Sequence, residues 1–156
     1  MKTYRLECSM SVPVSLREAF AFFEDPHNLA RITPAWLNFR IASPAPIQMR
    51  KGAEIEYRIR WLGLPFNWKT AITEYEPPFF FVDEQAAGPY AYWHHRHDFR
   101  PTEYGALVSD RVDYALPFGP LGRLAHRLAV RRQLQEIFNY RQKALAGILM
   151  GATAAK

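Results

Sequence analysis

Polar and apolar residues alternate over residues 3–11, with Tyr4, Leu6, Cys8 and Met10 on one face and Arg5, Glu7 and Ser9 on the other. Period two of this kind marks a strand buried on one side. Pro13 ends it. Ser15 and Glu18 then form a capping-box pattern, so a helix is expected over residues 16–23. Asp25 and Pro26 restart the chain as a second short helix reaching Arg31, because Asp caps free backbone N–H groups and Pro suits the first helical turn. Thr33-Pro34 stops that helix, and a short strand over residues 39–42 precedes the turn Pro44-Ala45-Pro46.

From Gly52 to Pro117 the pattern is almost purely β. Ile55, Tyr57, Ile59 and Trp61 alternate with Glu54, Glu56, Arg58 and Arg60, and Gly63 to Pro65 is read as the turn. Phe66, Trp68, Thr70 and Ile72 continue the alternation. Further strands are expected over residues 79–87, 91–100 and 106–116, separated by Gly88-Pro89 and by a turn from Pro101 to Gly105. Short Gly/Pro turns between successive strands describe an antiparallel meander. Beyond Pro120 there is no proline, and a helix over residues 121–149 would be roughly 43 Å long. It carries two apolar stripes, Leu121, Leu124, Ala125 and Leu128, then Val130, Leu134, Ile137, Phe138, Leu145, Ile148 and Leu149. The stripes are out of phase, so either the helix bends near Ala129–Arg131 or its first turns pack against something other than the sheet. The expected architecture is α+β: a curved, antiparallel, seven-stranded sheet wrapped around the long C-terminal helix, with two short helices after the first strand.

Composition narrows the picture. A chain of 156 residues that is 49% hydrophobic fits a single domain over residues 1–156. No apolar run reaches the roughly 18 residues of a membrane span. The start has no apolar signal-like core, and one cysteine, Cys8, allows neither an internal disulfide nor a Cys-rich zinc site, so a cytoplasmic location is the expectation. Aromatic residues reach 15%, more than a small core needs, which points to a ring-lined cavity. The net charge is +5, and the excess gathers in Arg123, Arg127, Arg131, Arg132, Arg141 and Lys143. No zinc pattern, RNA-binding aromatic signature or GxxG loop accompanies that cluster, so no nucleic-acid partner is expected. A solvated helix face and contact with an anionic membrane surface both stay open.

The strand around residues 91–99 carries the candidate chemistry. Period two places Trp93, His95, His97 and Phe99 on one face, and the bracketing rings mark it as interior. On the next strand Asp110 shares its face with Val108, Val112 and Tyr114. A turn over residues 101–104 that sets Phe99 against Ala106 would place His95 opposite Asp110 and His97 opposite Val108. Asp83 and Gln85 share the parity of Phe79 and Phe81 and are expected inward. The group His95, His97 and Asp110, with Asp83 and Gln85, reads as a buried polar network, as a ligand-orienting patch, or as a catalytic acid–base cluster. His-x-His on a strand also suits a metal, but the donor pattern is weak, and neither a metal nor a cofactor is expected. Arg141 lies within the second helical stripe and so faces the sheet, where it must pair with Asp83, Asp110 or an anionic ligand group, or else reach the rim. Arg123, Arg127 and Arg131 frame the cavity mouth or form a solvated row. Cys8 is read as core packing. Tyr57, Trp61, Trp68, Trp93 and Phe99 are the expected ligand-binding wall, with Asp83, Gln85, His95, His97, Asp110 and Arg141 as the polar part.

Several segments carry a family likeness. They are Asn28-Leu29-Ala30-Arg31-Ile32-Thr33-Pro34, Phe81-Val82-Asp83-Glu84-Gln85, Gly88-Pro89-Tyr90, Trp93 to Phe99, Asp110 to Gly119, and Ile137-Phe138-Asn139-Tyr140-Arg141. With the element order, they resemble the START-like, helix-grip superfamily (SRPBCC), in its bacterial ligand-binding, cyclase/dehydrase-like branch. The resemblance implies a deep cavity between sheet and C-terminal helix that takes lipids, polyketides or other apolar molecules. Some members cyclise or dehydrate polyketides and others only bind or carry, so a binding protein for a hydrophobic or amphipathic molecule and a cyclase-like enzyme using a His–Asp pair both stand. A cavity suited to such ligands is expected to exceed roughly 300 Å³.

Overall fold

The computed structural model describes residues 1–154. Strand β1 (Tyr4–Val12) is followed by α1 (Leu16–Glu24), α2 (Pro26–Arg31) and one 3₁₀ turn (Ala35–Leu37). Six strands come next: β2 (Arg40–Ile41), β3 (Glu54–Trp61), β4 (Leu64–Glu76), β5 (Phe80–Ala87), β6 (Tyr92–Thr102) and β7 (Gly105–Ala115). The C-terminal helix consists of α3 (Gly119–Ala125), a π-helical turn (His126–Val130) and α4 (Arg131–Ala154). All seven strands form one antiparallel sheet in the order β1-β7-β6-β5-β4-β3-β2, a meander closed by the return of β1 to β7. Among the described residues no helix is long and apolar enough to cross a membrane.

The helix starts follow the local rules. Ser15 Oγ accepts from the Glu18 N–H while Glu18 Oε2 accepts from the Ser15 N–H, a complete capping box. Asp25 Oδ1 accepts from the His27 N–H with Pro26 in the first turn of α2. Two turns depart from the sequence reading. Leu62 and Gly63, both with positive φ, make a two-residue hairpin turn, and Leu64 and Pro65 already pair with Trp61 and Arg60. At that end β4 runs past β5, whose pairing begins at Lys69, so the missing N–H of Pro65 is tolerated. On β6, Pro101 and Thr102 stay in the strand, leaving only Glu103 and Tyr104 in the turn. The register is therefore two residues away from the one expected: His97, not His95, stands opposite Asp110, and Phe99 faces Val108. A two-residue shift keeps every side chain on its face, which is why alternation alone does not separate the two pairings.

Register breaks between Lys69/Thr70 and between Ile72/Glu74 interrupt β4 against β5. Bulges of this kind increase twist and bend, and here they curl the outer strands over α4. One buried stripe runs down the helix, Val130, Leu134, Phe138, Arg141, Leu145 and Leu149. It resolves the two-stripe pattern: the π turn accommodates an extra residue, so the segment before it is out of phase with α4. Leu121, Leu124 and Leu128, expected to pack, are instead exposed, while Gly122 and His126 turn inward. His126 is clamped there, its Nε2 2.9 Å from Tyr114 Oη and its ring stacked on Tyr4 with centroids 3.5 Å apart.

Gly122 tests this docking. A Cβ at that position would collide with the Pro117 carbonyl oxygen and crowd Leu116, whereas one on Gly147 meets nothing. Gly122→Ala should destabilise the fold by about 1–3 kcal/mol despite its gain in helix propensity. Gly147→Ala should stabilise it by about 0.5–1 kcal/mol. Thermal unfolding of the two variants checks the opposite signs.

Candidate functional site

Two adjacent inward rows cross the sheet beneath α4. In one, Phe81, His97, Asp110 and Cys8 stand directly opposite one another on β5, β6, β7 and β1. In the next, Ile72, Asp83, His95, Val112 and Leu6 do the same across five strands. Period-two geometry thus gathers two histidines and two carboxylates from three strands into one patch.

The patch is a set of short nitrogen–carboxylate contacts. His95 Nε2 lies 2.9 Å from Asp110 Oδ1, and His97 Nε2 lies 2.8 Å from Asp83 Oδ2. Cross-contacts complete the square, with His97 Nδ1 2.9 Å from Asp110 Oδ1 and His95 Nδ1 3.5 Å from Asp83 Oδ2. The imidazoles lie face to face with centroids 3.7 Å apart, and Phe81 stacks on the far side of His97 at 4.2 Å. Arg141 reaches down from α4, its Nη1 3.8 Å from Asp110 Oδ1 and its guanidinium over the Phe138 ring. Behind Asp110, the Cys8 thiol points at Oδ2 from 3.8 Å.

Burial and pairing compete at each group. Burial pushes the Asp110 carboxyl up, but hydrogen bonds from both histidines outweigh it and hold the group well below its usual value. Asp83 is lowered in the same way, by the charges of the histidines and a hydrogen bond from His97 against its desolvation. The two imidazoles diverge. Burial and the neighbouring charge of His97 lower His95, whereas bonds to Asp110 and Asp83 overcome burial and raise His97. Of the two imidazoles, His97 therefore favours the charged form and His95 the neutral form. With Arg141, two cations balance two carboxylates, which is what a patch this dry requires. Burial and the adjacent Asp110 charge push the Cys8 thiol up to about 12, so it is not a nucleophile.

Above the patch lies an apolar hollow of about 170 Å³ bounded by β3–β6, α1, α2 and α4. Of the residues singled out from the sequence, Tyr57, Trp61, Trp68, Trp93, Asp83, His95, His97 and Arg141 border it. Three expected residues do not. Phe99 is buried in the core against Phe20, Phe23 and Phe81 because the interior at that end of β6 is filled by α1. Gln85 is occupied by the loop, donating to the Tyr90 carbonyl at 2.8 Å and accepting from the Tyr90 N–H. Asp110 sits behind the histidines rather than on the hollow. Arg123, Arg127 and Arg131 line an outer groove against β1, not the cavity. The wall also includes residues the pattern did not single out: Phe22, Phe23 and Leu29 from the short helices, and Tyr90, which that clamp turns inward among Trp61, Trp68 and Trp93. The paired Gly88-Pro89 turn was the only signal for Tyr90.

Arg141 is 8% exposed, yet its Nε and Nη1 make no hydrogen bond among the described residues. Rim-reaching is excluded by that burial. Donor atoms of Asp83, His95 and His97 also lie within 4.8 Å of one another, a three-ligand metal pattern. Those atoms are already committed to each other, and the Arg141 charge beside them opposes a dication.

Comparison with known proteins places this geometry. A family model described as "Polyketide cyclase / dehydrase and lipid transport" matches residues 12–138. A structure from Thermus thermophilus superposes with a TM-score of 0.73 at 16% identity, covering 97% of this chain and 99% of that one. A START superfamily protein from Mycobacterium smegmatis gives 0.67 at 14% identity, with 95% and 98% covered. Ara h 8.0201 gives 0.65 at 13% identity, with 96% and 99% covered. At such identities these likenesses establish the fold. No curated protein matches in sequence.

The charge balance has a pH signature. His97 holds its proton more firmly when folded, so its contribution is full below about pH 6.5 and is lost as pH rises through its raised value. His95 resists protonation, so its contribution falls as pH drops from about 6.5, and the lowered carboxylates lose theirs below about pH 4. His97→Gln should flatten the alkaline decline of the melting temperature and also soften the acid decline, because His97 helps to lower both carboxylates and His95; an unchanged alkaline limb would contradict the assignment. Asp110→Asn strips both histidines and Arg141 of a shared partner and should cost about 3–5 kcal/mol in the same melts.

Proposed function

The chain belongs to the polyketide cyclase/dehydrase and lipid transport family, and from that membership and the geometry above we propose that it binds a hydrophobic or amphipathic small molecule between the sheet and the C-terminal helix. Rings from Tyr57, Trp61, Trp68, Tyr90 and Trp93 supply an apolar wall. Asp83, His95, His97 and Arg141 supply the polar end. Concave, mostly apolar space with a few convergent polar groups is the usual form of a small-molecule site.

The observation that carries this reading is the buried guanidinium of Arg141, which borders the hollow with Nε and Nη1 unbonded. An unsatisfied charged donor in an apolar site is costly, and a carbonyl or carboxylate oxygen of a ligand would satisfy it. Volume then limits the ligand. At about 170 Å³ the hollow falls short of the roughly 300 Å³ expected for lipid-sized cargo. It matches a cavity of about 150 Å³ that holds benzene. The ligand that fits this volume is one ring or a short chain with an oxygen acceptor at one end, and longer cargo would need more room than the hollow has.

A second reading adds chemistry to the same space. The His95 imidazole is shifted down and the His97 imidazole up, a divergence in the sense an acid–base pair needs in a cyclase or dehydratase. Both His95 nitrogens face carboxylates, so Asp83 would carry protons between that pair and a substrate.

Tryptophan fluorescence reads the hollow directly, since Trp61, Trp68 and Trp93 border it. Titration with a panel running from benzoate to long-chain fatty acids and aromatic polyketones should give saturable quenching. Arg141→Met should weaken the best acid by on the order of 10- to 100-fold and its methyl ester much less. No saturable quenching across the panel would overturn the binding reading. Turnover of a polyketone by the wild type that His95→Asn abolishes, with quenching intact, would favour the enzyme.

A further inference from the structure

The first turns of the C-terminal helix carry apolar side chains that the core does not use. Phe118 is 80% exposed, Leu121 71%, Leu124 51% and Leu128 74%. The spacing of the three leucines keeps them on one side of the helix. Phe118 caps that helix with φ 66°, a conformation that a bulky residue adopts only under constraint, and its ring extends the ridge into solvent.

The helix that carries this ridge is charged with one sign only. Between Asp113 and Glu136 the sequence has no acidic residue, and it places Arg123, Arg127, Arg131 and Arg132 there. Arg132 pairs with Glu136. The other three have no carboxylate partner among the described residues. Arg123, Arg127 and Arg131 line one flank, the groove toward β1, where Lys2 adds a further cation and Glu7 a single carboxylate, so cations remain in excess.

From this juxtaposition we infer that the ridge Phe118–Leu121–Leu124–Leu128 and its arginines dock the protein on the surface of an anionic lipid bilayer. Apolar side chains beside a row of cations fit the boundary of such a surface, where phosphates meet the acyl region. A second copy of the chain fits poorly, because pairing the ridges would bring two uncompensated arginine rows together. The surface lies outside the cavity, and the inference stands whether or not the hollow binds a ligand.

Vesicle flotation with the full chain tests it. The protein should float with phosphatidylcholine vesicles that contain phosphatidylglycerol, remain behind with phosphatidylcholine alone, and release as salt is raised. R123Q with R127Q should weaken binding about fivefold per arginine, or roughly thirtyfold together. L121S with L124S and L128S should weaken it further at every salt concentration. All five positions are exposed, and unfolding melts establish that the variants fold; if the leucine variant does not, the arginine pair decides alone. Failure to float with anionic vesicles, or equal flotation with neutral ones, would overturn the inference. So would a dimer in light scattering that the leucine substitutions dissolve, which would make the ridge a contact between copies.

Discussion

The structure turns on a buried electrostatic balance. Asp83 and Asp110 hold the ring nitrogens of the His95–His97 pair, and Arg141 comes from the opposite layer as a further cation. Isolated charges at this depth would be prohibitively costly, so the groups exist only as an ensemble. Its members come from β5, β6, β7 and α4, which ties the sheet to its covering helix through polar contacts as well as apolar ones. The balance also fixes the hairpin register: a pairing shifted by two residues would keep each face unchanged but leave His97 opposite Val108.

That polar floor lies beneath the hollow, between two filled ends of the interior. Aromatic clusters fill both ends of the sheet: Phe20, Phe81 and Phe99 under α1, and Tyr90, Trp93 and Tyr114 near the π turn. Between them the floor is polar, and Phe138 from α4 and Phe23 from α1 approach its imidazoles at centroid distances of 5.7 and 6.1 Å. The remaining space is small because Tyr90, Trp68 and Phe138 lean in from three sides. Its volume and the unbonded Nε and Nη1 of Arg141 are the features that the proposed ligand has to match.

Much of this was legible in the sequence, for definable reasons. Strand faces, the capping box at Ser15 and the start at Asp25-Pro26 obey local rules, so the element order and the inward sides of His95, His97, Asp83 and Arg141 could be read directly. The likeness of the Trp93 to Phe99 and Asp110 to Gly119 segments pointed to the fold now established. What escaped the reading depends on distant contacts. The hairpin register hangs on whether Pro101 and Thr102 leave the strand, which periodicity cannot say. Gln85 has the right parity for the cavity but is captured by the Tyr90 backbone. Phe99 faces inward and still misses the hollow, because which part of an interior is empty depends on α1. The out-of-phase leucines were visible, yet a bend and a phase change leave the same pattern on paper.

The π turn has a consequence for how this molecule can diversify. Since the helix changes phase between His126 and Val130, the side chains that precede the turn and those that follow it answer to different neighbours. Mutations that retune the outer ridge need not propagate into the interior, and substitutions that reshape the hollow need not alter the ridge. One continuous rod of backbone thereby hosts two independently evolvable faces.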